Sequence, residues 1–336
     1  MAVRVGINGF GSIGRRFLRI ASCRPGVEVA GINDLYDVNT RAHLLKYDSN
    51  YGAFDKEIRV SGEDLLIDGK PVKMLFEKDP AQLPWGKMGV DVVVECTGRF
   101  TDATKARSHI DGGGAKKVII AAPAKQEDVT LVLGVNEWMY SPEKHSVISM
   151  ASCTTNCLAP TAKVLSDSFG ITKGLMTTVH AYTNDQVVLD FQHTDIRRAR
   201  AAGLSIIPTT TGAAKAISLV LPELKGKMNG FALRVPTPVV SLVDLVCDME
   251  RDVMVEEVNG AFKKASETTM KGILSTCDAQ LVSVDYKGDP HSAIVDLPST
   301  MVTGGNMLKV VAWYDNEWGY STRLCDLVEF LNNKGM

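Results

Sequence analysis

The stretch VRVGINGFGSIGRRF, residues 3–17, decides the fold of the first half of the chain. It begins as a short apolar run rich in β-branched residues, continues through the glycine motif GFGSIG at residues 9–14, and enters the helix-like segment Ile13–Ala21. A strand, a G-x-G-x-x-G turn and a helix in that order are typical of the first crossover unit of a Rossmann-type parallel sheet. The stretch therefore predicts an α/β domain in the N-terminal half.

The spacing of the glycines indicates a site for the two phosphates of a dinucleotide. Gly9 permits a tight turn, Gly11 lets a pyrophosphate approach the backbone, and Gly14 lets the helix pack closely on the strand. The helix would present unpaired N–H groups and the positive end of its dipole to phosphate oxygens. A simple tight turn is the alternative interpretation, but the flanking strand and helix favour the dinucleotide site.

An acidic residue at a particular spacing supports the same interpretation. Asp34 follows the next strand-like run and stands 20 residues after Gly14, where a carboxylate is expected to bind the adenosine ribose. A 2′-phosphate would meet this carboxylate at close range. The sequence therefore predicts NAD rather than NADP as the cofactor.

Strand-like and helix-like segments alternate through the first 150 residues, which favours a parallel sheet. Residues 55–77 interrupt the alternation with apolar and polar residues around Gly62 and Gly69, and they predict inserted antiparallel hairpins. The predicted strands are Val3–Asn8, Val27–Asn33, Val90–Glu95, Lys117–Ala121 and Val147–Ser149, and the predicted helices are Ile13–Ala21, Thr40–Tyr47 and Asp102–Ile110.

The second half has long strand-like runs with few helices between the later ones, so a mostly antiparallel sheet with helices on one side is expected. A helix is predicted near 154–167, and the tail Tyr320–Asn332 carries a helical apolar stripe. The remaining predicted strands are Lys173–His180, Asn229–Arg234, Val239–Asp248, Ala279–Ser283 and Leu308–Tyr314, and the remaining predicted helices are Ala213–Leu219 and Val255–Thr269.

The predicted fold class is therefore α/β, with a Rossmann-type parallel-sheet NAD-binding domain and an α+β catalytic domain built on a mostly antiparallel sheet. We expect the NAD-binding domain to comprise residues 1–151 and to be completed by a C-terminal helix at 317–336. Residues 152–316 are expected to form the catalytic domain. A length of 336 residues suits two domains.

Composition excludes several classes of protein. A net charge of −2 does not favour a nucleic-acid or anionic-membrane partner. No run approaches the ~18 apolar residues of a membrane span, and the N-terminus does not resemble a secretory signal. The seven cysteines are dispersed without a CxxC pair, so neither a disulfide framework nor a zinc site is expected. We expect a cytoplasmic protein without a metal.

The segment ASCTTNC, residues 151–157, contains the candidate nucleophile. Its polar residues suit a helix N-terminus, where the dipole would lower the pKa of the Cys153 thiol. Cys157 lies one turn further along, and we interpret it as a small packing residue. Of the six histidines, His180 ends a strong strand in the same half of the chain, so it is the candidate partner of Cys153.

Basic and hydroxyl residues in the second half indicate sites for anions. Arg234 ends a strand before Pro236, and the segment Thr209–Gly212 offers hydroxyls and an exposed backbone amide before a helix. The run Arg197–Arg200 adds local positive charge, although a solvated helix face explains most of it. Together these residues predict a phosphorylated substrate.

The sequence resembles the phosphorylating glyceraldehyde-3-phosphate dehydrogenases over nearly its full length. Seven separated blocks in the same order are far more specific than any single motif. The blocks are INGFGSIGR (7–15), ASCTTNCLAP (151–160), HAYTNDQ (180–186), RRARAAG (197–203), IPTTTGAAKA (207–216), LRVPTPVVSLVDL (233–245) and WYDNEWGYS (313–321).

The resemblance implies the phosphorylating oxidation of glyceraldehyde 3-phosphate, with NAD and inorganic phosphate, in glycolysis or gluconeogenesis. It implies that Cys153 is the nucleophile and that His180 activates it. The residues implied to bind the phosphate of the substrate are Thr183, Asp185 and Arg234, and those implied to bind inorganic phosphate are Ser152, Thr154, Arg198, Thr211 and Gly212.

The resemblance also implies cofactor contacts and a homotetramer, with a loop at about 183–206 reaching a neighbouring cofactor site. The sequence departs from the family pattern in three places, which comprise the four residues Ala121, Met150, Phe191 and Gln192. Because of the last departure, the preference for NAD depends mainly on Asp34. The residues implied to contact the cofactor are Ser12, Ile13, Asp34, Lys78, Asn316 and Tyr320, and Ala121 stands near the nicotinamide ribose.

Two other functions stay open at this point. Erythrose-4-phosphate dehydrogenase would keep the Cys/His pair but release an acid by hydrolysis, so its requirement for inorganic phosphate separates the two enzymes. A role in RNA binding belongs to a different class. The net charge of −2 and the lack of interleaved basic and aromatic residues give it little support.

Overall fold

The computed structural model describes residues 2–336, which divide into two compact units. The first unit contains the residues up to Leu131, the segment Trp138–Ala151 and the C-terminal segment Ser321–Met336. The second unit contains Val132–Glu137 and Ser152–Tyr320. The functional domain boundaries proposed from the sequence stay a prediction.

The first unit is built on a nine-stranded sheet in the order β10-β11-β9-β8-β1-β2-β7-β6-β5. The pairs from β10 to β7 are parallel, and β7-β6 and β6-β5 are antiparallel hairpin pairs, as predicted for residues 55–77. The strands are β1 Val3–Asn8, β2 Val27–Asn33, β3 Tyr47–Asp48, β4 Gly52–Ala53, β5 Ile58–Ser61, β6 Asp64–Ile67, β7 Lys70–Leu75, β8 Val92–Glu95, β9 Lys117–Ile120, β10 Val129–Thr130 and β11 Val147–Ser149, with β3 and β4 forming a separate ribbon.

Four helices of the first unit precede β11, namely α1 Ser12–Ala21, α2 Val38–Lys46, α3 Ala103–Ala106 and α4 Ser108–Asp111. The single helix predicted at Asp102–Ile110 is therefore two short ones. The Asp102 side chain caps α3 by accepting from the backbone N–H of Thr104 at 3.0 Å. Every residue of strands β8 and β9 is buried, including Glu95 and Lys117 at their ends, as the short β-branched runs indicated.

The second unit contains a sheet in the order β13-β14-β12-β15-β19-β17-β16, and β18 pairs with β19. Only the β14-β12 and β17-β16 pairs are parallel, so the prediction of a mostly antiparallel sheet is confirmed. Its elements are α5 Cys153–Phe169, β12 Ile171–Ala181, β13 Ile207–Thr209, α6 Ala213–Val220, β14 Met228–Val235, β15 Ser241–Met249, α7 Val255–Glu267, β16 Leu274–Cys277, β17 Ala293–Asp296, β18 Met301–Thr303 and β19 Met307–Tyr314.

The predicted strand at Ala279–Ser283 is wrong. Leu281 and Val282 are exposed, and a short 3-10 helix, Ser283–Tyr286, begins where the strand was expected to end. The true strands on this side of the sheet are β16 and β17, which the sequence analysis missed. Short apolar runs are ambiguous because periodicity alone does not separate a buried strand from a loop.

The chain ends in α8 Trp318–Asn333, which was predicted from the apolar stripe of the tail. Leu324, Leu327 and Leu331 on this stripe are fully buried. Among residues 2–336, no helix combines the length and the apolar character that crossing a membrane requires.

Candidate active site

In the turn between β1 and α1, each glycine is needed for a different physical reason. Gly9 has φ +93°, and a Cβ placed on it would lie 2.8 Å from the backbone nitrogen of Thr97. A Cβ on Gly14 would lie 2.3 Å from the carbonyl oxygen of Gly9. A Cβ on Gly11 would meet nothing within 4 Å, so a ligand can approach the backbone there.

This turn opens into a cavity of about 530 Å³. The cavity lies where β1, β2 and β8 end, and β2 and β8 flank β1 on opposite sides. Ligands of open α/β sheets bind at such a topological switch point. Of the predicted cofactor residues, Gly9, Gly11, Asp34 and Lys78 line it, together with Asn8, Asn33, Leu35, Tyr36, Arg41, Glu77, Cys96, Thr97, Arg99 and Phe100.

The cavity fits a dinucleotide pyrophosphate. Gly11 is the N-cap of α1 and has no side chain to accept from the first-turn N–H groups, and no acidic residue stands in that turn. Ser12 and Ile13 are the first two residues of α1, so their backbone N–H groups lie at the positive end of its dipole. These donors are arranged for an anion.

Asp34 does not stand alone at this site. Its carboxylate accepts from the backbone N–H of Phe10 at 2.7 Å and forms an ion pair with Arg41, whose side chain is almost fully buried. The sequence analysis missed Arg41 because its distance from Asp34 along the chain corresponds to no known spacing. A cation beside Asp34 bears directly on the choice between NAD and NADP.

Cys153 is the first residue of α5, and Ser152 is the N-cap. The Ser152 hydroxyl accepts from the backbone N–H of Thr155 at 3.0 Å, which fixes the start of the helix. The Sγ atom of Cys153 lies 3.4 Å from Nε2 of His180, which is near the end of β12. The structure therefore brings together the two residues that the sequence analysis paired.

The environment of His180 keeps its imidazole neutral. Burial and the nearby Arg234 guanidinium lower the pKa of His180 from 6.5 to about 3. The carbonyl oxygen of Ala181, which can only accept, lies 2.6 Å from Nδ1. A proton held on Nδ1 leaves the Nε2 lone pair facing Cys153, so His180 can accept the proton of the thiol.

The pKa of Cys153 differs in direction from the prediction. Burial raises the pKa of the thiol, although the Arg234 guanidinium and hydrogen bonds from Thr154 act in the opposite sense. Desolvation of the charged form outweighs these contributions, so the expected lowering of the pKa is not found. Formation of the thiolate therefore depends on a proton acceptor within reach.

Arg234 lies beside this pair because β12 and β14 are parallel neighbours with His180 opposite Arg234 in register. Its Nη1 donates to the carbonyl oxygen of Ala181 at 3.0 Å, and although it lies 2.8 Å from Nδ1 of His180, the two do not bond because both atoms carry hydrogens. Its Nε is buried and has no hydrogen-bond partner among residues 2–336. A buried unpaired donor on a cation favours an anionic ligand.

A tyrosine that the sequence analysis did not assign completes this region. The hydroxyl of Tyr314 lies 2.9 Å from the hydroxyls of both Thr154 and Thr178. Burial raises the pKa of Tyr314, so it stays protonated and connects α5 to β12 and β19. The only signal in the sequence was its place at the end of a strand within the block WYDNEWGYS.

Several of the predicted phosphate-binding residues already have hydrogen-bond or ion-pair partners within the protein. Arg198 pairs with Asp185 and donates to the Thr209 hydroxyl at 2.8 Å, so its charge is already partly neutralised. The Thr183 backbone N–H donates at 2.9 Å to Gln186, a buried residue that the sequence analysis did not assign. Thr211 and Gly212 precede α6, and the Thr211 hydroxyl accepts from the N–H of Ala213 at 3.2 Å.

The remaining predicted cofactor residues are divided between the units. Ala121 belongs to the first, whereas Asn316 and Tyr320 belong to the second and are buried there. The Ser241 hydroxyl donates to Oδ1 of Asn316 at 3.0 Å, which leaves the amide NH₂ as the free end of Asn316. Within residues 2–336 there is no cluster of three or more residues suited to hold a metal ion, and all seven cysteines are free thiols.

A cavity suited to a dinucleotide at the switch point of a parallel sheet, together with a cysteine at a helix start beside a neutral histidine, indicates the class of NAD-dependent dehydrogenases, with Cys153 as the candidate nucleophile. The comparisons agree. The model of the glyceraldehyde 3-phosphate dehydrogenase NAD binding domain matches residues 3–103, and that of the C-terminal domain matches residues 152–316. The chain therefore belongs to the glyceraldehyde 3-phosphate dehydrogenase family.

Named relatives match over the full length. The chain is 60% identical to the glyceraldehyde-3-phosphate dehydrogenase of Geobacillus stearothermophilus over 336 residues, which is 100% of both chains. It is 59% identical to that of Priestia megaterium and 59% identical to glyceraldehyde-3-phosphate dehydrogenase 1 of Bacillus subtilis, again over 100% of both chains.

Proposed function

We propose that this chain oxidises glyceraldehyde 3-phosphate with NAD and inorganic phosphate to 1,3-bisphosphoglycerate. The observation that carries the proposal is the 3.4 Å contact between Cys153 and His180 at the N-terminus of α5, in a chain of this family. Residues 1–151 with 317–336 serve as the NAD-binding domain, and residues 152–316 as the catalytic domain.

The chemistry begins with the thiol. Nε2 of His180 accepts the proton of Cys153, and the thiolate adds to the aldehyde carbon to give a thiohemiacetal. The backbone N–H of Cys153 has no partner within its own helix and donates to the new oxyanion. His180 returns its proton to this oxyanion, which completes the hydroxyl of the thiohemiacetal, and accepts that proton again as the thiohemiacetal is oxidised to a thioester. NAD, when bound, supplies the acceptor for the hydride.

Two anion sites serve the two phosphates. Arg234, with its unpaired Nε, holds the phosphate of the substrate together with Thr183, and Asp185 lies beside Thr183. Inorganic phosphate meets the N-terminus of α5 at Ser152 and Thr154 and the turn at Thr211 and Gly212, with Arg198 nearby. It attacks the thioester and releases an acyl phosphate, so that Cys153 leaves as a thiolate.

The requirement for inorganic phosphate tests this proposal. We expect steady turnover of glyceraldehyde 3-phosphate to need inorganic phosphate, because the second anion site binds phosphate as the nucleophile that attacks the thioester in place of water. We also expect erythrose 4-phosphate to be oxidised at least about tenfold less efficiently. The measurement is NADH formation with each sugar phosphate, with and without phosphate. Equal turnover without phosphate would favour the hydrolytic enzyme instead.

The cofactor pocket yields a second prediction. In Asp34→Ala the carboxylate is gone and Arg41 is free to meet a 2′-phosphate, so the ratio of kcat/KM for NADP to that for NAD should rise about 10- to 100-fold. Initial rates with both cofactors measure it. Asp111→Ala removes an exposed carboxylate that does not line the cavity and is the matched control. An unchanged ratio in Asp34→Ala would contradict the assigned role of Asp34.

The assembly and location complete the proposal. A homotetramer is supported by large exposed apolar side chains in the second unit, among them Leu175, Leu204, Ile206 and Phe231. Free thiols in all seven cysteines suit the reducing cytoplasm. Light scattering coupled to size-exclusion chromatography tests the tetramer, and a monomer at micromolar concentration would exclude it.

A further inference from the structure

Beneath the cofactor cavity lies a chain of buried polar side chains that the proposed chemistry does not use. The indole Nε1 of Trp85 lies 3.0 Å from Nδ1 of His109, and Nε2 of His109 lies 3.2 Å from Oε2 of Glu95. All three residues are at most 2% exposed. We call Trp85, His109 and Glu95 the buried relay; none of them lines the cavity itself.

The direction of each hydrogen bond in the relay follows from the donors. An indole N–H can only donate, so Nδ1 of His109 must accept, and the ring proton of the neutral imidazole then sits on Nε2 and is donated to Glu95. Nδ2 of Asn8 lies 3.4 Å from the same Nε2, but both atoms are donors and do not bond. Nδ2 of Asn8 donates to Glu95 instead, at 2.5 Å.

The relay reaches the cavity through two residues that line it. Glu95 receives Asn8 on Oε2, and on Oε1 it accepts from both the hydroxyl and the backbone N–H of Thr97, the latter at 2.7 Å. Asn8 also accepts from Asn33 at 2.7 Å, so its amide orientation is fixed. Asn8 directly precedes Gly9 and Thr97 lies against Gly9, so Glu95 is hydrogen-bonded to residues on both sides of the glycine turn.

Two glycines make the slot for the indole. A Cβ on Gly6 in β1 would lie 2.8 Å from the ring of Trp85, and one on Gly113 would lie 2.9 Å from it. Glycine inside a strand weakens the strand, and the β1-β2 register shifts between Val5 and Gly6. The glycine in β1 thus lowers the stability of the strand locally, but it leaves the space in which Trp85 reaches His109.

We propose that Trp85, His109 and Glu95 are positioning residues for NAD. Trp85 donates to Nδ1 of His109 and so places the ring proton on Nε2, which donates to Glu95. Glu95 in turn holds Asn8 and Thr97 in the arrangement that the cofactor needs. The inference rests on the placement of NAD in this cavity under the proposed function. Loss of the relay should therefore weaken cofactor binding and leave the chemical step at Cys153 intact.

The test removes one hydrogen-bond donor. Trp85→Phe keeps a ring in the glycine slot but leaves Nδ1 of His109 unpaired, and we expect the Kd for NAD to rise about five- to thirtyfold, with kcat at saturating NAD within about twofold of the parent. Trp138→Phe, the same change at a side chain that is 75% exposed, is the matched control and should leave both values unchanged. Isothermal titration with NAD and initial rates measure them.

A second pair of variants, at His109, tests the inference even if Trp85→Phe does not fold. The amide of His109→Gln offers one acceptor and one donor and should keep a Kd within about threefold of the parent, whereas His109→Leu offers neither and should lose at least about tenfold. A lower Tm with an unchanged Kd in both Trp85→Phe and His109→Leu would overturn the inference, since the relay would then only stabilise the fold. Failure of the unsubstituted chain to bind NAD would instead contradict the proposed function.

Discussion

Cys153→Ser is expected to lower the rate of aldehyde oxidation by more than about 10³-fold while the Kd for NAD stays unchanged. A serine hydroxyl is a far weaker nucleophile than a thiolate, and His180 at 3.4 Å has no acidic thiol from which to accept a proton. Initial rates of NADH formation and isothermal titration with NAD measure the two quantities.

Cys157→Ser is the matched control because the same atom is exchanged one helical turn further along α5. Cys157 is fully buried and its Sγ points to the carbonyl oxygen of Ala312 at 3.7 Å, so its role is packing. Its variant should retain most of the turnover. Turnover close to that of the parent in Cys153→Ser, or an equal loss in both variants, would refute Cys153 as the nucleophile.

His180→Asn is expected to lower kcat by about 10²- to 10⁴-fold, the contribution of a positioned general base. With its pKa lowered to about 3, His180 is neutral throughout the range from pH 5 to pH 9 and is able to accept a proton. Burial raises the pKa of Cys153, so without His180 little thiolate forms at pH 7. Steady-state rates at saturating substrate measure the loss.

Alkylation by iodoacetamide separates this role from a purely structural one. The ratio of the parent rate to the His180→Asn rate should be large at pH 7 and should fall towards one as the pH rises, because hydroxide then removes the thiol proton without help. His43→Asn, at an exposed histidine of α2, is the control and should follow the parent at every pH. A ratio independent of pH would count against His180 as the proton acceptor.

Much of the fold could be predicted because its signals are local. The alternation of β-branched runs with helical stretches, the glycines at 9–14 and the carboxylate at Asp34 are all read within about 35 residues. The failure at Ala279–Ser283 has the opposite cause. Whether a short apolar run becomes a strand depends on a partner strand far away in sequence, and β17 found such a partner in β19.

For the candidate site, the candidate residues could be predicted from the sequence, but their contacts and pKa shifts could not. Cys153 at a helix start and His180 at a strand end are local properties, but their 3.4 Å contact depends on how α5 packs beside β12. The predicted direction of the Cys153 pKa shift was wrong because burial, which no local pattern reports, raises the pKa of the thiol. Gln186, Arg41 and Tyr314 were missed because no motif marks them and only the folded structure shows their contacts.

The sequence by itself determined the two domain types and the cofactor class and supplied the candidate reacting pair, because each follows from short patterns that have few physical interpretations. Tertiary structure alone decided which charges face one another. The parallel register of β12 and β14 sets Arg234 beside His180, and the slot at Gly6 and Gly113 lets Trp85 reach His109. Such contacts join residues more than 20 positions apart, where only the packed chain fixes distance and burial.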